Sequence, residues 1–420
     1  MVKHLARINS DHCPLLLSLD SPPFRNGVKP FRFQPIWLSQ EEFPSVVREV
    51  WEGNHHSVCN EICEFTNKAN VWNREVFGNN FWKKKNHVVR ILGAKKALAR
   101  NPSKRLIHLH NFLFGELEKI LALEEELWSI KARMNWLIQR ERNTTFFHIS
   151  TLNRRSHNRI VCIQNADGIW EEDVYRVKEI FLEGFAKLYR TEQISSPRIP
   201  ANIFAWGNSL SESEAIKLTL APMDAEILFA LNSMKAFKAL GFDRLHARFF
   251  QRFWMVVGES VKHEVKQIFR LKRIPPQLNK TIIALIPKQL GLETINHLRL
   301  ISLCNIIYKI VSKILILRMK YLMLTLISPT QIAFVSGRRG MDNVIVAQEL
   351  VYNLENKKGK AAFMVIKLDL EKTYDRLEWS FVRSMMFSLG FHEDTVELVM
   401  SCISSTSATL LFNGSQLEIV

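Results

Sequence analysis

The chain has 420 residues, a hydrophobic share of 47% and a formal net charge of +16. This composition is sufficient for sizeable cores in two or three domains, and the charge favours a polyanion partner or a basic tail. No signal peptide is visible, and the six scattered cysteines favour an intracellular protein with reduced thiols. The apolar stretch 306–327 is interrupted by four basic residues, so it predicts an amphipathic helix and no membrane span.

The first half of the chain is predicted to be mostly helical. Residues 1–18 are too few to form a core, and a Ser-Pro-Pro linker follows them. Between residues 37 and 139 the apolar positions recur at a helical period, and Asn101-Pro102-Ser103 predicts a break between two antiparallel helices. After that we expect a strand at 159–163, a turn at Asp167-Gly168 and a helix at 174–188. A Ser-, Pro- and Asn-rich stretch at 194–209 marks a boundary.

Residues 68–160 hold 19 Lys and Arg against 7 Asp and Glu, and so carry 12 of the 16 net positive charges. Aromatic residues are mixed with this charge. Cations neutralise phosphates and rings stack on bases, so the segment is a candidate nucleic-acid interface, with Lys83, Lys84 and Lys85 as candidate contacts. The alternative is a solvated basic helix whose rings are core. The aromatic residues are Trp72, Phe77, Phe81, Trp82, Trp128, Trp136, Phe146 and Phe147.

The second half alternates helical and strand-like patterns. We expect a loop at 235–244, and Asn413-Gly414 predicts a type I′ hairpin turn. The predicted helices are 225–233, 247–269, a stripe that begins at Ile306, and 377–389. The predicted strands are 281–286, 363–368 and 410–412.

Asp369 ends the predicted strand 363–368. Nucleotidyl transfer uses two metal ions held by carboxylates, and a strand end is a rigid mount for one such ligand. The Leu370 carbonyl would add an oxygen, and Tyr374 would wall a sugar pocket. The alternative is that Asp369 only ends a strand and caps the next helix.

Several blocks, in order, resemble the reverse transcriptases of non-LTR retrotransposons, most closely those of plant long interspersed elements. KLDLEKTYDRL at 367–377 resembles the first catalytic motif. The other blocks are MKAFKALGFD at 234–243, LIPK at 285–288, LRLISLCN at 298–305 and ISPTQIAFVSGRR at 327–339. The resemblance implies an α+β fold, in which a helical basic connector precedes the fingers and partial palm of a right-hand reverse transcriptase.

Site residues follow from the resemblance. Asp369, together with Leu370, would be a catalytic ligand of Mg²⁺. Lys288 and Arg299 would contact the incoming deoxynucleoside triphosphate. Tyr374 would discriminate the sugar. The residues along template or primer would be Gln331, Gly337 and Arg338. The implied partners are an RNA template and a DNA primer or target DNA, without a membrane, and the implied location is the nucleus.

The resemblance extends upstream. SDHCP at 10–14 resembles the last motif of the endonuclease domain that precedes the polymerase in these elements, so Asp11 and His12 would be its remnant. NWL at 135–137, RNTTFFH at 142–148 and NRI at 158–160 resemble the connector. The predicted domains are therefore an endonuclease remnant at 1–20, a basic connector at 21–193, and fingers with an incomplete palm at 210–420.

Departures from the family pattern are also present. Leu300 replaces the usual Pro, Thr373 the usual Ala, and the loop 236–244 carries Arg244 and other residues where Pro and Gly are usual. No aromatic-Ala-Asp-Asp motif occurs in the 420 residues. The resemblance implies that this motif, a Gln-Gly-Asp-Pro block and the thumb would all follow Val420. We therefore expect a fragment that is inactive alone. One alternative is a non-enzymatic nucleic-acid-binding module built on 68–160, and another is an unstable fragment whose hairpin at 410–412 lacks partners.

Overall fold

The computed structural model describes residues 31–53, 57–78, 80–132, 144–191, 209–289, 291–357, 364–369 and 373–418, and the backbone of two short strands at 2–4 and 15–17. The chain forms two compact units. One contains residues 1–55 and 60–157, and the other contains 56–59 and 158–420. Packing thus groups residues 158–191 with the second unit, so the division between the units comes before the composition change at 194–209. The domain boundaries at 1–20, 21–193 and 210–420 stay a prediction.

The first unit is helical, as its periodicity predicts. Its helices are α1 (Phe43–Trp51), α2 (Val58–Trp72), α3 (Asn80–Arg100), α4 (Lys104–Ala132) and α5 (Thr144–His157), and its strands β1 (Val2–His4) and β2 (Leu15–Leu17) pair antiparallel. An aromatic core holds the start of this unit together. Trp37, Phe43 and Trp72 are buried, with ring centroids 5.0 Å apart for Phe43 and Trp72 and 5.6 Å apart for Trp37 and Phe43. Such tilted aromatic pairs add to the stabilisation from burial.

The predicted helix break and antiparallel arm are confirmed. α3 ends at Arg100 and α4 begins at Lys104, with Pro102 between them. Ile91 of α3 packs with Leu113 and Leu117 of α4 in a small buried cluster. The Lys84 Nζ lies 2.6 Å from a Glu124 carboxylate oxygen further along the pair of helices.

The second unit combines helices with a four-stranded sheet, which confirms the α+β class. The helices are α6 (Val174–Tyr189), α7 (Glu212–Thr219), α8 (Asp224–Asn232), α9 (Ala247–Arg252), α10 (Trp254–Leu271), α11 (Ile306–Met319), α12 (Met323–Leu326), α13 (Gly340–Glu355), α14 (Trp379–Ser388) and α15 (Glu393–Ser404). The strands are β3 (Ile163–Gln164), β4 (Trp170–Glu171), β5 (Lys280–Pro287), β6 (Leu298–Cys304), β7 (Ser407–Phe412) and β8 (Ser415–Glu418).

β5 lies inside the sheet, whose strand order is β6-β5-β7-β8. It pairs antiparallel with β6 and parallel with β7, and β7 and β8 form an antiparallel hairpin. One face of the sheet is covered by α6. Phe181 and Phe185 pack there against Leu285, Leu410 and Phe412. This burial explains why β5 is an almost continuous apolar run.

The hairpin turn at Asn413-Gly414 is confirmed. Both residues have positive φ, 46° and 90°, as a type I′ turn requires. The Asn413 amide also donates to the Ile160 carbonyl at 2.7 Å and accepts from the Ile160 N–H at 3.0 Å. The expectation that the hairpin lacks partners is wrong, because β7 pairs with β5 and its inward residues are buried.

Three predicted elements differ from the structure. The strand at 159–163 is reduced to the two residues of β3, and the helix at 247–269 is divided at Phe253, where ψ is 21° and leaves the helical range. The strand at 363–368 is wrong over its described residues. Residues 364–369 pair with no described strand and are exposed.

No described helix is long and apolar enough to cross a lipid bilayer. The stretch that begins at Ile306 forms α11 instead, with one face in the core of the second unit. Ile307, Ile310, Val311 and Ile314 are all buried, whereas Arg318 near its end pairs with Glu226 of α8 at 2.9 Å.

Candidate functional site

Lys288 and Arg299 lie at the loop end of the β5–β6 hairpin, next to the connection between the two strands. Arg299 is opposite Ile286 in the strand register. Lys288 follows β5, and its N–H donates to the His297 carbonyl at 2.8 Å, which extends the pairing by one step. Because side chains alternate between faces along a strand, Lys288 shares a face with Ile286 and therefore with Arg299. Both residues are exposed. The hairpin thus presents two cations on one sheet face.

The loop 235–244 is tied to the start of α11 by reciprocal hydrogen bonds. The Asp243 N–H donates to Asn305 Oδ1 at 2.9 Å, and the Asp243 carboxylate accepts from the N–H groups of Ile306 at 3.1 Å and Leu245 at 3.2 Å. Burial raises the pKa of Asp243 to about 6, although these hydrogen bonds and the charges of Lys309 and Arg244 lower it. Asp243 therefore anchors this loop beside β6.

Two positions in the same loop have special backbone requirements. A Cβ on Gly241 would lie 2.5 Å from the Cys304 carbonyl oxygen, so only glycine permits this close approach. Arg244 has φ of 59°, the left-handed region that favours glycine. The family pattern has Pro and Gly in this loop, and the positive φ at Arg244 gives a physical reason for a glycine there.

The block 327–338 is held by Arg338. Its guanidinium donates to the carbonyls of Ser328, Gln331, Leu324 and Ile327, the last at 3.0 Å. These bonds close the turn that follows α12. Gln331 and Gly337 are exposed in the same turn, and Gly337 has φ of 85°. The donors of Arg338 are thus used within the chain, and a contact of this block with template or primer stays a prediction.

Asp369 is exposed and ends a segment, 364–369, that has no regular secondary structure and belongs to no described sheet. The prediction that it ends a buried strand is therefore wrong. Tyr374 lies in the turn at 373–375. Shortly after this turn, Glu378 accepts a hydrogen bond from Thr191 Oγ1 at 2.9 Å. Leu370 lies outside the described residues, as do Asp11 and His12.

Phe334 is a residue that the sequence analysis missed. Its ring meets Tyr374 edge-on, with centroids 5.7 Å apart, although 87% of Phe334 and 73% of Tyr374 is exposed. Its φ of 64° is unusual for a bulky residue. The contact joins the block 327–338 to the turn that follows Asp369. No local signal marked it, because Phe334 is one aromatic residue within a turn sequence.

The described residues do not fit a two-metal site. Such a site needs several hard oxygen ligands close together. Asp369 supplies one carboxylate, and no group of three or more acidic, His or Cys side chains able to hold a metal occurs among the described residues. The predicted Mg²⁺ site at Asp369 and Leu370 therefore stays a prediction, and we derive no step through a metal.

The three lysines of the basic segment differ in their surroundings. Lys85 is exposed, whereas Lys83 and Lys84 are half-buried. Lys84 is paired with Glu124. The aromatic residues of this segment also differ in burial. Trp72 and Phe147 are in the core, whereas Trp82 is largely exposed.

Residues 286–418 match the family model described as reverse transcriptase (RNA-dependent DNA polymerase). The chain carries a reverse transcriptase domain. This domain includes Lys288, Arg299, the block 327–338, Asp369 and Tyr374, as well as β6, β7 and β8.

A relative of this chain is the "Transposon TX1 uncharacterized 149 kDa protein" of Xenopus laevis. The two sequences are 26% identical over 286 residues, which is 68% of this chain and 22% of the relative. This similarity and the domain match support the predicted family, the reverse transcriptases of non-LTR retrotransposons. The chain spans about a fifth of the length of this relative. The plant type and the endonuclease remnant stay predictions.

Proposed function

We propose that this chain is part of an RNA-directed DNA polymerase of a non-LTR retrotransposon. Its substrates would be deoxynucleoside triphosphates, an RNA template and a DNA primer or target DNA, with Mg²⁺ as cofactor and the nucleus as its place of action. The observation that carries the proposal is the family match at 286–418. The register of the β5–β6 hairpin supports it, because two exposed cations share one face there.

Lys288 and Arg299 are the proposed contacts of the triphosphate. A lysine ammonium is a point charge and an arginine guanidinium is a planar fork, and both suit phosphate oxygens. Their place on a paired hairpin favours this role, since main-chain hydrogen bonds limit the movement of both backbones. Tyr374, together with Phe334, would then wall the sugar, and Gln331, Gly337 and Arg338 would follow the template or primer.

We further propose that residues 1–420 alone do not extend a primer. Asp369 is exposed, and the sequence holds no aromatic-Ala-Asp-Asp motif that would supply the remaining carboxylates. The alternative of a purely non-enzymatic binding module on 68–160 is not favoured, because residues 286–418, outside this segment, match a reverse transcriptase.

Triphosphate binding tests the proposed role of Lys288 and Arg299. Equilibrium dialysis of the 420-residue chain with radiolabelled dTTP and Mg²⁺ should show weaker binding for Lys288→Ala and Arg299→Ala. A lost charge-assisted hydrogen bond costs about 1.5–3 kcal/mol, which is about 10- to 100-fold in Kd. Lys280→Ala is the matched control, because Lys280 is an exposed lysine at the other end of β5.

Equal affinity in wild type and in both site variants would contradict the proposed nucleotide site. The activity is tested separately by primer extension on an RNA template. We expect no product from the chain alone, and a product that disappears in Asp369→Asn would refute the proposed inactivity.

A further inference from the structure

The helix α3 carries an unusually one-sided charge. Its 21 residues contain no Asp or Glu. They contain seven basic residues, which are Lys83, Lys84, Lys85, Arg90, Lys95, Lys96 and Arg100. Helices that are simply solvated generally mix both signs, because pairs three or four residues apart then stabilise them. The composition of α3 therefore concentrates repulsion that a polyanion would relieve.

The exposed side of α3 is a continuous stripe. Its six members are spaced by three or four residues and so share one helix face. All six are exposed, including two large apolar side chains, Trp82 at 62% and Val89 at 60%. The members of this stripe, which we name the α3 stripe, are Trp82, Lys85, Val89, Gly93, Lys96 and Arg100.

The opposite side of α3 accounts for the packing of the helix. Ile91 and Ala94 are buried, and Ile91 packs on Leu113 and Leu117 of α4. Lys84 is also on this side and is paired with Glu124. Packing of α3 on α4 therefore explains this side, whereas the α3 stripe lies on the other face of the helix and is exposed.

A second observation on the α3 stripe is the glycine in its middle, Gly93. Glycine inside a helix is less favourable than alanine. A Cβ at Gly93 would meet nothing within 4 Å, and its backbone is helical, so neither close packing nor a positive φ requires glycine there. The absence of a side chain at Gly93 leaves the helix backbone open to a ligand that approaches from outside.

We propose that the α3 stripe binds the backbone of single-stranded nucleic acid. Lys85, Lys96 and Arg100 would contact phosphates along about 22 Å of helix. Trp82 and Val89 would offer apolar surface to bases, as in other single-strand binders. Gly93 lets the strand lie close to the helix between these groups. This inference does not rest on the proposed nucleotide site, since α3 lies outside the reverse transcriptase domain.

The test is fluorescence anisotropy of a fluorescein-labelled 20-nucleotide oligouridine with the full 420-residue chain over a salt series. Lys96→Gln with Arg100→Gln should weaken binding at least tenfold. Each phosphate contact in a single strand contributes about 0.7 to the slope of log K against log salt, so the slope should fall by about 1.4. Lys68→Gln with Lys119→Gln is the control, because these lysines pair with Glu64 and Glu116 outside the α3 stripe.

Equal losses in the two double variants would overturn the inference, because net charge would then explain binding. Gly93→Gln sharpens the test. Glutamine is a better helix former than glycine, so this variant should have a higher Tm and yet bind oligouridine several-fold more weakly. Unchanged binding of Gly93→Gln, or equally tight binding of a duplex RNA of the same length, would contradict single-strand binding along the α3 stripe.

Discussion

Two apolar segments of the reverse transcriptase domain have similar strand-like composition, but one forms a buried strand and the other is unpaired and exposed. Residues 407–412 form β7, where Leu410 is fully buried and Phe412 nearly so. Residues 364–369 pair with no strand, and 83% of Leu368 is exposed. Both segments contain aliphatic residues in succession, so composition does not distinguish them.

The difference lies in the neighbours. β7 gains main-chain hydrogen bonds from β5 on one side and from β8 on the other, and α6 covers its inward side chains. The segment that leads to Asp369 has no such partner among the described residues. A strand is stabilised by cross-strand pairs, so apolar residues alone do not make one. Asp369 is consequently exposed where the sequence predicts a strand end.

Truncation of one leucine in each segment should give the largest contrast. Leu410→Ala should lower the free energy of unfolding by about 2–5 kcal/mol, because it removes buried methyl groups and leaves a cavity. Leu368→Ala should change it by less than about 0.5 kcal/mol, because that side chain is already in water. Urea unfolding followed by circular dichroism measures both.

A Leu368→Ala cost near that of Leu410→Ala would show that the segment 364–369 is buried in solution. Such a result would restore the predicted strand before Asp369. A small cost for Leu410→Ala would show instead that the β7–β8 hairpin is loosely packed.

A pH effect should follow from Asp243, which attaches its loop to the packed part of the second unit. The pKa of Asp243 is about 6 in the folded protein because of burial, and its ordinary value is 3.8. The folded state therefore holds this proton more tightly, and the stabilisation that it gives is lost as the pH rises from about 4 to about 6. Relative to Asp243→Asn, the free energy of unfolding should fall by about 2–3 kcal/mol over this range.

Urea unfolding of both proteins at several pH values gives this difference, because the other carboxylates titrate alike in the two. Asp243→Asn should be less stable at every pH, since an amide has one oxygen for two N–H donors. A constant difference between pH 4 and pH 6.5 would mean that Asp243 is solvated, and its loop would then resemble residues 364–369 rather than β7.

A smaller effect, of opposite sign, is expected at Arg244. Its φ of 59° is strained for a residue with a Cβ. Arg244→Gly removes that strain, and the greater freedom of glycine in the unfolded chain offsets part of the gain. We expect a net stabilisation of about 0.5–1 kcal/mol, measured by thermal unfolding. Arg244→Ala keeps the Cβ and should give no gain, and stabilisation by alanine equal to that by glycine would show that backbone strain is not the cause.

Local patterns in the sequence determined much of the fold. The helical period determined α3, α4, α6 and α11, the proline at 102 determined the break of the arm, and Asn413-Gly414 determined the turn between β7 and β8. Each depends on residues that are near one another in the chain, so a short window contains the whole physical cause. The motif blocks likewise indicated the reverse transcriptase family before any geometry was known.

Tertiary structure alone decided the rest. Whether an apolar segment becomes a strand depends on hydrogen-bond partners far away in sequence, as the contrast between β7 and residues 364–369 shows. The same is true of Lys84, which pairs with Glu124 40 residues away, and of Phe334, which meets Tyr374. The sequence by itself determined the elements whose physical cause is local, and the packing of distant residues determined which apolar segments become strands and which side chains are exposed.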